Sequence, residues 1–231
     1  MIELKQINQL YGGSQILWDL NLELTSGSLT CLLGRNGVGK TTLLKCIMGL
    51  LPVKSGTILI DGKDISRSPA HLRPKLGVGY VPQGRDIFPQ LTVEENLRTG
   101  LAGRTDGSKK IPDLIFELFP VLDSMMKRRG GDLSGGQQQQ LAIGRALTIE
   151  PKLLILDEPN EGIQPNIVQQ IGDVIVRLNK EFNTTVLLVE QKLAFARRVG
   201  QDFHIMEKGR IVASGEMDNL SDEVVKEYLA V

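Results

Sequence analysis

Three short runs in this 231-residue chain carry residue types whose spacing could do chemistry. The first is Gly34-Arg35-Asn36-Gly37-Val38-Gly39-Lys40-Thr41, followed by Thr42. It fits the pattern Gly-x-x-x-x-Gly-Lys-Ser/Thr completely. It also lies between a predicted strand, Leu29–Leu33, and a helix predicted from about Lys40 to Leu50. Glycines in such a loop let backbone N–H groups turn inward around phosphate oxygens. The helix that follows offers unsatisfied N–H groups at the positive end of its dipole. Lys40 supplies a charge for the β- and γ-phosphates, and Thr41 a hydroxyl for Mg²⁺.

The second run is Leu153-Leu154-Ile155-Leu156-Asp157-Glu158-Pro159. An acid at the end of a buried parallel strand stands where such sheets bind ligands. Asp157 can hold the Mg²⁺ that Thr41 also touches. Glu158 is placed to orient or deprotonate an attacking water. Alone, the pair reads equally well as a strand-end turn with two solvated acids; beside a phosphate loop, the metal's need for a carboxylate favours the chemical reading. The third run is Leu133-Ser134-Gly135-Gly136-Gln137 ahead of a helical stretch. Ser134 makes a good N-cap, and the two glycines bare the backbone, so this is a second anion site for which the residues alone give no reason.

The elements that must position these runs are legible in outline. Ile2, Leu4 and Ile7, then Leu20, Leu22 and Leu24, alternate with polar residues as strands do, with Tyr11-Gly12-Gly13 as the turn between them. Thr57–Ile60 reads as a strand entering the tight turn Asp61-Gly62. Val93 to about Leu147 reads as mostly helical, with Gly103–Lys110 as a surface loop. Beyond it, strands at Leu153–Leu156 and Thr185–Val189 flank a helical stripe of Ile167, Ile171, Val174, Ile175 and Leu178. Runs at Phe203–Met206 and Arg210–Ala213 close the sheet, and Trp18 reads as core with its neighbouring leucines. Alternation of strand, loop and helix predicts a mainly parallel sheet covered on both faces. The fold class is α/β, with an antiparallel β edge and an inserted helical lobe at residues 86–147.

Composition narrows the function. Lys+Arg and Asp+Glu both number 27, so no global basic field holds nucleic acid, and none is expected as a partner. Two cysteines, Cys31 and Cys46, in apolar runs read as buried thiols in a reducing compartment. The N-terminus lacks the uncharged core of a signal peptide, and no apolar run approaches the roughly 20 residues that span a bilayer. The chain is expected to be cytoplasmic, with any membrane role supplied by a partner.

In order and spacing the three motifs resemble the nucleotide-binding subunits of ABC (ATP-binding cassette) transporters over almost the whole length. The resemblance implies a P-loop NTPase of the ABC cassette type that binds ATP and Mg²⁺. A RecA-like α/β lobe (about 1–85 and 148–231) would carry a helical lobe (about 86–147). It also gives the third run a purpose. Two such chains pair head to tail, and Ser134, Gly135, Gly136 and Gln137 of one close over the nucleotide of the other. Tyr11 matches the aromatic that stacks on adenine, although it also reads as a packed tyrosine beside a turn. Gln83 matches the glutamine that reaches Mg²⁺ and the attacking water.

Two positions depart from that family. The loop after Glu158 has Gln164 before Pro165, where an Asp is usual. Gln191 stands where a His usually contacts the γ-phosphate, and neither His71 nor His204 is in register to replace it. A glutamine donates a hydrogen bond but takes up no proton or charge, so binding at this site is expected and hydrolysis is expected to be less efficient.

The segment from Gln83 to Leu97 resembles importers for branched-chain amino acids and their relatives for urea and short amides. QQQQLAIGRAL and DEPNEGIQP lean towards the urea branch. The implied partners are transmembrane permease subunits, docked at Asp86–Val93, and a second, related cassette. A homodimer is the alternative. The chain would then sit peripherally on the cytoplasmic face of the membrane. A soluble cassette acting on DNA or ribosomes would carry a long coiled-coil insertion or two cassettes in one chain, and this chain has neither. An ordinary P-loop kinase or GTPase leaves the Leu133–Gln137 motif unused.

Overall fold

The computed structural model describes residues 1–229. It begins with strands β1 (Ile2–Tyr11), β2 (Ser14–Leu24) and β3 (Leu29–Leu33), then helix α1 (Lys40–Ile47). Strands β4 (Ser55–Ile60) and β5 (Lys63–Asp64), helix α2 (Leu72–Lys75) and strand β6 (Val78–Val81) follow. A helical stretch comes next: α3 (Val93–Gly100), α4 (Leu114–Leu118), α5 (Pro120–Ser124) and α6 (Gly135–Leu147). The remainder alternates through β7 (Leu153–Asp157), α7 (Pro165–Phe182), β8 (Thr185–Glu190), α8 (Leu193–Val199), β9 (Asp202–Glu207), β10 (Arg210–Glu216) and α9 (Asp222–Tyr228).

Two sheets result. An antiparallel one has the order β2-β1-β4-β5. The larger has the order β10-β9-β3-β8-β7-β6, and every pairing in it is parallel except that of β10 with β9. Its central strands, β3, β7 and β8, are buried at every position. Burial on both faces explains why they read as unbroken apolar runs rather than alternating ones. The two-residue period still divides their side chains. Leu154, Leu156, Val186 and Leu188 pack towards α6, α7 and α8, whereas Leu153, Ile155, Leu187 and Val189 pack towards α1 and the antiparallel sheet.

Several expectations need correction. Trp18 is not core: it is 40% exposed, with the Arg210 guanidinium 5.7 Å from its ring centroid. The pairing of β1 with β2 slips between Ile7↔Leu20 and Gln9↔Leu17, where Asp19 adopts a left-handed φ of 43°. That irregularity buries Leu17 and Leu20 and turns Trp18 outward. Helix α1 ends at Ile47, short of Leu50, because Gly49 takes φ 69° and stops it. The span from Val93 to Leu147 is interrupted by loops at 104–113 and 125–129. Strand β6 escaped the sequence reading because Val-Gly-Tyr-Val is too short and mixed to show a period. Cys31 and Cys46 are buried and unbridged, as expected.

Candidate active site at the carboxyl edge of the parallel sheet

Strand register brings the distant runs together. Leu33, at the end of β3, pairs with Glu190, and Asp157, at the end of β7, lies opposite Val189 of β8. Gly34, Glu158 and Gln191 therefore leave three adjacent strands at one level of the sheet. This is the edge at which open α/β sheets place their ligands.

The phosphate loop, Gly34–Thr41, leads into α1. A Cβ on Gly34 would lie 2.5 Å from the carbonyl oxygen of Met206, so only glycine fits there. Gly39 caps α1 with φ 110°. The helix has neither a side-chain cap nor an acidic residue in its first turn. Its leading N–H groups are thus left for an anion, in contrast to α3, which closes its own start with a Thr92–Glu95 capping box. Thr41 and Thr42 are half-buried in that first turn, Val38 is half-buried, and Arg35, Asn36 and Gly37 are exposed.

Lys40 is buried, and its Nζ donates to the carbonyls of Gly34 at 2.7 Å and Arg35 at 2.9 Å. It also lies 3.7 Å from Glu158 Oε1. Burial draws its pKa down, and the carboxylates of Glu158 and Asp157 pull it back up. The ammonium is therefore held inside the loop by groups that an incoming phosphate can replace.

Asp157 is 1% exposed, and neither carboxylate oxygen meets a hydrogen-bond partner of good geometry. Burial pushes its pKa up to about 6; the neighbouring Thr41 hydroxyl draws it down, Glu158 adds to the rise, and Lys40 opposes it. A buried carboxylate whose one polar neighbour is a loosely placed hydroxyl is costly unless a cation completes it. The residues present therefore fit Mg²⁺. Among the described residues no group of three or more His, Cys, Asp or Glu could hold an ion alone. That suits Mg²⁺, which takes one or two carboxylates and completes its shell with phosphate oxygens and water.

Glu158, the next residue, has a left-handed φ of 48°, and its N–H donates to the carbonyl of Val189 at 3.0 Å. Its Oε1 accepts from Gln191 Nε2 at 2.5 Å. Gln83 Nε2 donates to Glu161 Oε2 at 3.0 Å and reaches Glu158 Oε2 only at 3.5 Å. Gln83 thus flanks the carboxylate expected to act on water, and no hydrogen bond ties it to Asp157 or Thr41.

The remaining predicted residues lie apart from this cluster. Tyr11 ends β1 at the hairpin turn and is 46% exposed. Ser134 caps α6: its Oγ accepts from Gln137 N at 3.3 Å, and Gln137 Oε1 accepts from Ser134 N at 2.9 Å. Each side chain is occupied with the other residue's backbone N–H. Together with Gly135, Gly136 and Gln164 they line a cavity of about 420 Å³. Among the described residues no hydrogen bond joins Ser134–Gln137 to the phosphate loop of the same chain.

Glu190 was overlooked in the sequence. It is 3% exposed, it accepts from the N–H groups of Gln191 and Lys192 at 2.8 and 2.9 Å, and it accepts from Asn160 Nδ2 at 2.9 Å. It ends an apolar strand just as Asp157 does, and that shared position is the signal that could have found it.

Known proteins extend these observations. The ABC transporter family model matches residues 17–161. The chain is 36% identical over 234 residues to a probable branched-chain amino acid transport ATP-binding protein of Archaeoglobus fulgidus, covering 100% of this chain and 98% of the relative. It is 40% identical over 214 residues to a high-affinity branched-chain amino acid transport ATP-binding protein of Pseudomonas aeruginosa, covering 92% and 91%. A dimeric ATP-binding cassette in a post-hydrolysis state, bound to ADP and Pi, superposes with a TM-score of 0.84 at 25% identity, covering 94% of this chain and 99% of that one. With the phosphate loop, the strand-end carboxylates and the Ser134–Gln137 motif all in the expected order, the chain belongs to the ABC transporter family, as one of its ATP-hydrolysing cassettes.

Proposed function

We propose that this chain is the ATPase subunit of an importer for a small nitrogenous solute, urea or a short amide. The observation that carries the ATPase role is the convergence of Lys40, Glu158 and Gln191 on one edge of the sheet. In this reading, Gly34–Thr42 wrap the phosphates, Lys40 leaves its two carbonyl partners for the β- and γ-phosphates, and Tyr11 stacks on the base. Thr41, Gln83 and Asp157 hold Mg²⁺, which when bound neutralises phosphate charge in the transition state. Glu158 accepts the proton of the attacking water, Gln83 orients that water, and Gln191 offers the γ-phosphate a neutral hydrogen bond in place of a charge.

The separation of Ser134–Gln137 from this chain's own phosphate loop favours their use by a partner's nucleotide, in a related second cassette or a second copy. In this reading an α/β lobe carries a helical lobe at about 86–147. No helix among the described residues is long and apolar enough to cross a membrane. A peripheral place on the cytoplasmic face, held by permease subunits, follows from the transport reading.

The urea lean rests on the wording of the motifs around Gln137 and Asn160. The similarity to two branched-chain amino acid transport proteins favours the second reading, an importer for those amino acids. The native complex, purified and reconstituted in vesicles, separates the two through ATP-driven uptake of labelled urea against labelled leucine. Glu158→Gln serves as the control: it should keep MgATP bound while turnover falls by about 10²–10⁴. Turnover at the parental rate would remove Glu158 from its role as base.

A further inference from the structure

Residues Gly84, Arg85 and Asp86 have φ values of 84°, 74° and 47°, three left-handed residues in succession. Two of them carry side chains, for which this conformation is unfavourable and persists only when the surroundings hold it. Two hydrogen bonds hold it. Arg85 N donates to Pro82 O at 3.1 Å, and Arg145 Nη2 donates to Arg85 O at 3.2 Å.

The excursion directs the Arg85 side chain between two other segments. Its Nη2 donates to the carbonyl of Glu161 at 3.2 Å, in the loop after Glu158. Its Nη1 donates to Gln138 Oε1 at 3.3 Å, in the first turns of α6. A Cβ on Gly135 would lie 3.3 Å from both Nη1 and Nη2, so the guanidinium rests against the bare backbone of the Ser134–Gln137 motif. Among the described residues no carboxylate pairs with it, so its hydrogen bonds are directed at these two loops. Gln83, two residues earlier, contacts Glu161 and Glu158.

We propose that Arg85 is a positioning residue that ties the loop after Glu158 to the first turns of α6, so that this chain's own phosphate site and the surface it offers to a partner's nucleotide move together. The inference rests on the ATPase reading above and adds to it a physical link between the two nucleotide surfaces of one chain. A guanidinium suits the task because its rigid fork can serve two acceptors in different segments, which a single ammonium does less well. Both bonds are long, one part-buried and the other exposed, so they can break and re-form as the loop after Glu158 shifts.

The test uses the full chain, with MgATP affinity by titration calorimetry and turnover per chain measured side by side. Arg85→Met keeps the stem and removes the fork. MgATP affinity should stay within about twofold, and kcat should fall at least tenfold. Arg85→Lys should recover less than half of that loss. Gln138→Leu should lower kcat severalfold by itself and clearly less in the Arg85→Met background, because the contact with Arg85 is then already gone and only the bonds of Gln138 to the Gly130 and Leu133 carbonyls remain to be lost.

Turnover within twofold of wild type in Arg85→Met overturns the proposal, and so do additive losses in the double variant or an equal loss of affinity and rate. A lowered melting temperature with unchanged kcat shows a structural role only and overturns it as well. Gln138→Leu carries the test if Arg85→Met does not fold. Failure of the wild-type chain to bind or turn over ATP would instead remove the ATPase reading, an outcome distinct from these.

Discussion

Gln191 Nε2 donates to Glu158 Oε1 at 2.5 Å, and the same nitrogen donates to Asn36 Oδ1 at 2.6 Å. One amide therefore joins the strand-end carboxylate to the phosphate loop. Both partners are acceptors, and an NH₂ group has two hydrogens to satisfy them, whereas one imidazole nitrogen has only one. The glutamine thus occupies an oxygen of the carboxylate assigned to the water proton, and it brings no charge to the γ-phosphate. Gln191→His should raise turnover at low pH relative to high pH, with the change centred near an imidazole pKa of about 6.5. The pH profile of kcat in the assembled complex, with the partner's catalytic carboxylate removed, is the measurement. An unchanged rate and profile would remove Gln191 from the reacting groups. A near-complete loss in Gln191→Ala would make it a positive catalytic element rather than a handicap.

Asp157 should lower the stability of the nucleotide-free protein. Its pKa is raised from 3.8 to about 6 in the fold. Below 3.8 both folded and unfolded chains hold the proton, and this group has no effect. As pH rises towards 6 the unfolded chain ionises first, so stability is lost, and the loss is complete above 6. Two pKa units correspond to on the order of 2–3 kcal/mol. Asp157→Asn should therefore be more stable than wild type at pH 7.5 in a chelator, and the gap should shrink as pH falls through about 6 and close near 3.8. Urea unfolding at a series of pH values tests this. MgATP should stabilise wild type more than the variant.

The Asn160–Glu190 hydrogen bond, 2.9 Å long and buried, fixes the loop after Glu158 against the start of the Gln191 loop. Asn160→Asp would set two carboxylates against each other, and such pairs share a proton. Turnover should then fall below that of wild type, and the deficit should be smaller at low pH than at high pH. Steady-state rates from pH 5 to 9 decide. A flat profile in Asn160→Asp would show that the contact does not hold the site.

Phe88 is 48% exposed and helps to line a groove of about 590 Å³ with Met48, Leu50, His71 and Arg145. The Arg145 guanidinium lies 5.4 Å from its ring centroid. This is the face expected to receive a permease subunit. Phe88→Asp should abolish co-purification with the membrane subunits while MgATP affinity changes less than about twofold. Intact assembly, or lost ATP binding, would count against that assignment.

Local pattern determined a good deal of this protein. The phosphate loop, the acids at the end of β7 and the capped start of α6 are each written in consecutive residues, because their physics is local: φ > 0 at glycines, a helix start, an acid ending an apolar run. The central strands were legible for the same reason, since burial on both faces leaves only apolar side chains. What tertiary structure decided is which loops meet. Nothing near Gln191 in sequence points to Asn36, 155 positions away; parallel register between β3, β7 and β8 brings them together. The burial of Glu190 depends on that same stacking of strands, and the clamp at Arg85 on three left-handed residues whose conformation no side chain announces. Trp18 was misread because one irregular residue in a strand reverses which side chains face inward, a choice made by pairing with the neighbouring strand.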